Sequence, residues 1–289
     1  MTVLALVVLA VLLAGPVPRA MARQHTLRRS PRAALVAWQS VSLAAILAAL
    51  AAAPAAAARL LGEDRPMPVH VVVTGLAALV SALMLARLLR SGHRIGTRLR
   101  ALRASHLELV DIIAHHRDGR VRVLAHPTPT AYCLPGRQAR VVLSQGTLDA
   151  LPEPQLEAVV AHERAHLAGR HDLLLEYFTV IHETVPRPLR CEAAMEEVRL
   201  LVEALADRAS VRCVGTLETA RALVTLAESR APEAAMGAAG GGTSAPLPLR
   251  LRLLAAGSVH PALTAGMYLY AVALLVVPVA LLAAAWASA

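Results

Sequence analysis

The sequence predicts a mainly α membrane protein, with four transmembrane helices and an α+β domain inserted between the third and the fourth. Three observations carry this. The 289-residue chain is 56% hydrophobic and 17% charged, against about 45–50% and about 25% in ordinary soluble domains. Its apolar residues gather into four long runs. Its charge is also unevenly placed: there is no Lys, and 18 of the 20 acids lie between Glu108 and Glu233 beside 14 Arg. The rest of the chain holds 15 Arg and two acids, Glu63 and Asp64. Positive charge thus borders the most apolar segments, as it does where arginines anchor membrane helices. Such apolar content excludes disorder as an overall description. The formal net charge of +9 is no nucleic-acid signature, because the middle of the chain is acidic and aromatics make up 2%. No direct nucleic acid binding is expected.

A helix crosses the hydrocarbon core with about 20 apolar residues. The first candidate span is 1–18, closed by Gly15-Pro16. It reads as an uncleaved span, because no positive residue precedes the apolar run and Arg19 sits against the small-x-small stretch Ala20-Met21-Ala22. A basic loop follows at 19–32, with Arg19, Arg23, Arg28, Arg29 and Arg32. The second span is 33–58, interrupted late by Pro54, and the third is 66–86. The loop 59–65 between them is neutral, with Arg59 and Arg65 against Glu63 and Asp64. Arg87, Arg90, Arg94, Arg98, Arg100 and Arg103 come directly after the third span. Arg250 and Arg252 precede the fourth, 261–289. Because arginine-rich loops stay cytoplasmic, both termini are expected outside and 87–252 inside, in a multi-pass plasma-membrane protein.

Region 87–252 is long enough for a core of its own. Ala101–His116 reads as an amphipathic helix, with Leu102, Leu109, Ile112 and Ile113 on one face. Asp118-Gly119 signals a turn, and Val121–Leu124, Ala131–Leu134 and Val141–Leu143 read as short strands. A proline-flanked helix begins near Pro152 or Pro154 and runs to about Gly169. Further helices are expected at Leu173–Thr184, Ala193–Val214 and Leu217–Ser229. At 230–248 the composition collapses to Ala, Gly, Pro and Ser, which predicts a flexible connector. Cys133, Cys191 and Cys213 have no tight spacing, which fits a reduced compartment.

The proline-flanked helix contains His162-Glu163-Arg164-Ala165-His166. Two histidines four apart lie one turn apart on one face, so both imidazoles can reach one metal ion, with the glutamate between them close enough to act on water. Imidazole and carboxylate are common zinc ligands, and a catalytic zinc takes a third protein ligand. Glu203 is the best candidate, because Glu203-Ala-Leu-Ala-Asp207 repeats the one-turn spacing on a second helix. One of these carboxylates would bind metal while the other accepts from a ligand imidazole. The cofactor expected is Zn²⁺.

His162-Glu163-Arg164-Ala165-His166, His171-Asp172 and Glu203-x-x-x-Asp207-Arg208 resemble the membrane-embedded gluzincin metallopeptidases. Three spans, a zinc domain and a fourth span look like the BlaR/MecR-type antirepressor peptidases. Ala131-Tyr132-Cys133-Leu134-Pro135-Gly136 and Val141–Leu148 resemble their strands before the active-site helix. The resemblance implies a gluzincin-like domain in which His162, His166 and Glu203 bind zinc, Glu163 is the general base and Asp207 holds a ligand imidazole. It implies a zinc metalloendopeptidase whose partner and substrate is a cytoplasmic transcriptional repressor of the BlaI/MecI type. Arg208, His171 and Tyr177 are candidate donors to the developing oxyanion. The chain departs from beta-lactam-sensing members, which carry a penicillin-binding domain after the fourth span. Any signal is therefore expected through the spans, their short outer loop or another protein. Two other readings stand beside this one: a quality-control or prenyl-protein peptidase of the HtpX type, and a non-proteolytic membrane sensor or scaffold with a vestigial zinc site.

Overall fold

The computed structural model describes residues 1–62, 67–235, 245–257 and 261–288. In chain order the helices are α1 (Thr2–Ala14), α2 (Pro16–Ala22), α3 (Pro31–Gly62) and α4 (Pro68–Ile113). Strands β1 (His115–Asp118), β2 (Val121–Leu124), β3 (Ala131–Leu134) and β4 (Arg140–Ser144) follow. Then come α5 (Gln145–Ala150), α6 (Glu153–Ala168), α7 (His171–Thr184), α8 (Glu192–Val214), α9 (Thr216–Ala235), α10 (Leu247–Ala255) and α11 (Pro261–Ala287). The chain divides into two compact units. One comprises Met1–Ile95, Tyr177–Val198 and Val259–Ala289; the other comprises Gly96–Glu176 and Arg199–Ser258.

Among the described residues four helices are long and apolar enough to cross a membrane, Thr2–Ala22, Pro31–Gly62, Pro68–Ile113 and Pro261–Ala287, and the first unit holds them all, the third as far as Ile95; the chain is a membrane protein. Helix α3 is its centre. Ala48, Ala51 and Ala55 of α3 pack with Leu6 of α1 and Ala285 of α11 in one fully apolar cluster. Alanine at these positions lets helix backbones approach closely, the usual basis of helix association where lipid removes the hydrophobic driving force.

Several bounds differ from the sequence expectation. The break at Gly15-Pro16 only interrupts the first span: proline is favoured at a helix start, so α2 resumes at Pro16 and carries the apolar run to Ala22. The expected basic loop 19–32 is accordingly structured, with a 3-10 turn over His25–Arg29. Pro54 lies inside α3, and the helix continues past the expected end of the second span at 58 to Gly62; membrane helices tolerate proline where neighbours satisfy the freed backbone. Residues 63–65 of the expected outer loop, and residue 66 at the start of the expected third span, lie outside the described residues. The helix that carries the third span does not stop at 86. It runs on through the arginine-rich stretch into the expected amphipathic helix, giving 46 residues in α4, about 69 Å at 1.5 Å per residue. Arginine is a good helix former, and nothing there is a proline break.

In the second unit a four-stranded sheet has the order β1-β2-β4-β3. Strands β2 and β4 are parallel, with Val121 opposite Val141. Strand β3 runs antiparallel to β4, with Ala131 opposite Leu143. The three expected strands form. The fourth, β1, takes residues assigned to the end of the amphipathic helix: the Asp118-Gly119 turn folds His115–Asp118 back on β2 as a hairpin. Gly119 adopts φ +48° there, a conformation glycine reaches at no steric cost. One face of the sheet buries Val121, Ala131, Val141 and Leu143 against Leu156, Ala158 and Val159 of α6. Leu134 and Val142 form another cluster with Val110 of α4. Ser144 caps α5, accepting from the Thr147 amide. Helix α6, which carries His162 and His166, is thus seated on the sheet by its apolar face.

The connector expected at 230–248 is shorter than its composition suggests. Helix α9 extends to Ala235, and α10 begins at Leu247, with Pro246 before it and Pro248 in its first turn; residues 236–244 lie outside the described residues.

Candidate metal centre

Helix α6 places His162 and His166 one turn apart, and α8 brings Glu203 to them. His162 Nε2 and His166 Nε2 are 3.1 Å apart. Glu203 Oε2 lies 3.5 Å from His162 Nε2, and its Oε1 lies 3.6 Å from His166 Nε2. All three ligand atoms fall within 4.8 Å of one another. A tetrahedral zinc with ligands at 2.0–2.1 Å separates neighbouring donors by about 3.3 Å. The donor set and its spacing therefore fit zinc.

The back of each imidazole is also accounted for. His162 Nδ1 stands 3.0 Å from Asp207 Oδ1, although it is off the line of a hydrogen bond. His166 Nδ1 is 2.9 Å from His171 Nδ1. His171 is buried and tucks against the α6 terminus because Gly169 has no side chain there: a Cβ would meet His171 Nε2 at 2.4 Å. This geometry places His171 behind a ligand ring, away from the Nε2 atoms.

Electrostatics without metal follow from burial and neighbours. Burial disfavours the charged form of His162, but Asp207 and Glu203 outweigh it and raise its pKa to about 9. Burial and the neighbouring His162 lower His166 to about 3. His171 is lowered as well, chiefly by burial. For Glu203, burial favours the neutral acid, but His162 and Arg250 overcome it and lower the pKa to about 2. The centre is an anionic ligand beside two imidazoles, one of them poised to lose a proton.

Arg250 of α10 completes the group, and sequence reasoning missed it. Its Nε donates to Asp207 Oδ2 at 2.8 Å, its Nη2 to Oδ1 at 2.5 Å, and its Nη1 lies 3.1 Å from Glu203 Oε2. In the sequence Arg250 stands out only as a marker of membrane orientation. The available signal was an arginine amid Leu247, Leu249, Leu251 and Leu253 behind two prolines, a pattern that starts a helix.

A cleft of about 540 Å³ opens at these residues, lined by His162, Glu163, His166, Glu203, Asp207, Arg250 and β3 residues Ala131, Tyr132 and Cys133. Strand β3 is an edge of the sheet. The Cys133 thiol hydrogen-bonds to the Glu163 carboxylate, and burial followed by that carboxylate raises its pKa, so it is not a ready nucleophile. All three cysteines are free. Of the other oxyanion candidates, neither Arg208 nor Tyr177 lines the cleft. Arg208 is half-buried near Arg212, and burial lowers its pKa. Tyr177 belongs to the other unit, where its hydroxyl pairs with Ser42 Oγ at 2.9 Å.

The chain matches the family model of peptidase family M48 over residues 96–267, which takes in the sheet, α6, Glu203 and Arg250. No curated protein and no solved structure matches.

Proposed function

The chain belongs to peptidase family M48, a membrane zinc metallopeptidase with the ligand group His162, His166 and Glu203, and from that premise we propose an antirepressor role: it cuts a cytoplasmic transcriptional repressor of the BlaI/MecI type. The observation that supports peptide-bond hydrolysis most directly is the open edge of β3 in the same cleft as the ligand group. A peptide laid along that edge gains main-chain hydrogen bonds by strand addition, which presents its carbonyls to α6. The order of segments, three spans, zinc domain and fourth span, supports the repressor as substrate. The arginine distribution supports a cleft on the cytoplasmic side.

In this reading Glu163 is the general base. It takes a proton from the attacking water onto its carboxylate and delivers it to the leaving amine. The thiol of Cys133 holds that carboxylate on the side of the substrate strand. Asp207 fixes the His162 ring and His171 the His166 ring, which keeps each Nε2 directed at the metal. When bound, zinc supplies Lewis-acid chemistry, polarising a carbonyl and making water acidic enough to ionise near neutral pH.

The full chain, purified with zinc and reconstituted in vesicles, tests the substrate. Cleavage of a BlaI/MecI-type repressor by the wild type, and none by Glu163→Gln, supports the proposal. Cleavage confined to misfolded membrane proteins or prenylated peptides replaces it with the quality-control reading. Stoichiometric zinc without cleavage of any of these replaces it with the sensor reading.

A further inference from the structure

The membrane unit contains an apolar cavity of about 450 Å³, within the range of about 300–1,000 Å³ typical of small-molecule sites. Helices α1, α3 and α4 wall it along its length, and the turn joining α7 to α8 closes one end. It is open on one side. Helix α4 meets α3 through Ala77 against Ala52 and Ala56 and through Ser81 Oγ, which donates to the Ala49 carbonyl at 2.9 Å. Away from that seam, Val7 and Val11 of α1 and Leu76 and Val80 of α4 line the cavity and are themselves exposed. The opening therefore faces sideways, toward hydrocarbon if these helices cross a bilayer.

The closed end is cationic. Arg19 donates to the carbonyls of Pro188 and Arg190, each at 3.1 Å, and Arg87 Nε donates to the Thr184 carbonyl at 3.0 Å. The acids of the same turn are engaged elsewhere: Glu183 pairs with Arg190 at 3.3 Å and Glu192 with His182 at 3.0 Å. Main-chain oxygens hold Arg19 and Arg87 in place, and the turn keeps an excess of positive charge beside an apolar slot.

We propose that this cavity is a binding site for one acyl chain of an anionic phospholipid, which enters between α1 and α4 and sets its phosphate against Arg19 and Arg87. The chemistry is complementary at both ends: methylene groups against an almost wholly apolar wall, and an anion against two guanidinium groups. The site is separate from the peptidase cleft and does not depend on what that cleft cuts.

The chain carries a built-in reporter. Trp38 lines the cavity and is 3% exposed, whereas Trp286, the other of the two tryptophans, is 53% exposed. In a Trp286→Phe background, Trp38 fluorescence is read in vesicles containing phosphatidylglycerol or phosphatidylcholine brominated on the acyl chain. The proposal expects saturable quenching by the phosphatidylglycerol at about thirtyfold lower mole fraction than by the phosphatidylcholine, the scale set by two arginines beside one anionic headgroup. Ala45→Phe, which fills the cavity, should remove the saturable component. Arg19→Gln should cut the preference to about fivefold and Arg19→Gln with Arg87→Gln should bring the two lipids together, each leaving quenching by phosphatidylcholine unchanged, which also shows that the cavity survives the substitutions. Unchanged zinc content reports that each variant folds. Equal quenching by both lipids in the wild-type background overturns the proposal, as does saturable quenching that survives Ala45→Phe. Absence of quenching also overturns it, whether the cavity is then empty or holds a polyprenyl chain or a protein segment.

Discussion

Arg250 grips Asp207 through two parallel hydrogen bonds across 43 positions of sequence, and both side chains are buried. Since Asp207 also stands behind His162, a residue shortly before the last membrane helix helps to orient a metal ligand on α6. Removing one partner of a buried pair typically costs about 3–5 kcal/mol, because the other charge is left without compensation. Arg250→Ala should therefore lower the unfolding temperature and weaken zinc binding together. Arg250→Lys should restore part of the stability and less of the metal affinity, because an ammonium cannot form the same fork. Thermal unfolding with and without zinc checks both.

Glu163→Gln should leave zinc stoichiometry unchanged and reduce hydrolysis by about 10²–10⁴-fold, the usual contribution of a positioned base. Glu203→Ala should release the metal. Zinc analysis beside a cleavage assay separates the two residues; metal retained by Glu203→Ala would place the third ligand elsewhere.

Gly169→Ala should displace His171, because the new methyl group would need the space now occupied by the imidazole edge. Loss of a partner behind a metal-bound histidine typically costs about 10–100-fold in affinity or activity. His171→Ala should give a loss of the same order. Chelator competition measures it; an unchanged zinc affinity in both variants would reduce the His166–His171 contact to packing.

Zinc loading should expel a proton. Without metal, His162 holds its proton up to about 9, and only the neutral ring can bind. Below that value zinc affinity should rise with pH, with about one proton released per ion; above it the affinity should level off and the release vanish. Calorimetry in two buffers of different ionisation enthalpy counts the protons.

The ligand group was legible because its geometry is local: His162 and His166 are four positions apart, and the same spacing repeats at Glu203 and Asp207. The strands and the helices around them followed from alternation, turn residues and prolines. What escaped depended on distant contact. Arg250 has its meaning only once α10 folds against α8, and the low-complexity composition ahead of it hid that helix. His171 sits behind His166 because of the space at Gly169, which no periodicity reports. The continuity of α4 was obscured by its arginines, which mark a membrane boundary without being a helix boundary.

On the proposed reading, in which substrate adds to the edge strand β3, the cleft is restricted in the kind of chain it can cut. A strand can be added there only by a stretch that is already extended and has its own amide groups to spare. Helices and sheet interiors have none to offer. Folded lobes of a victim protein should thus pass untouched, and scission should fall in the slack tether between them, separating two halves that each remain intact.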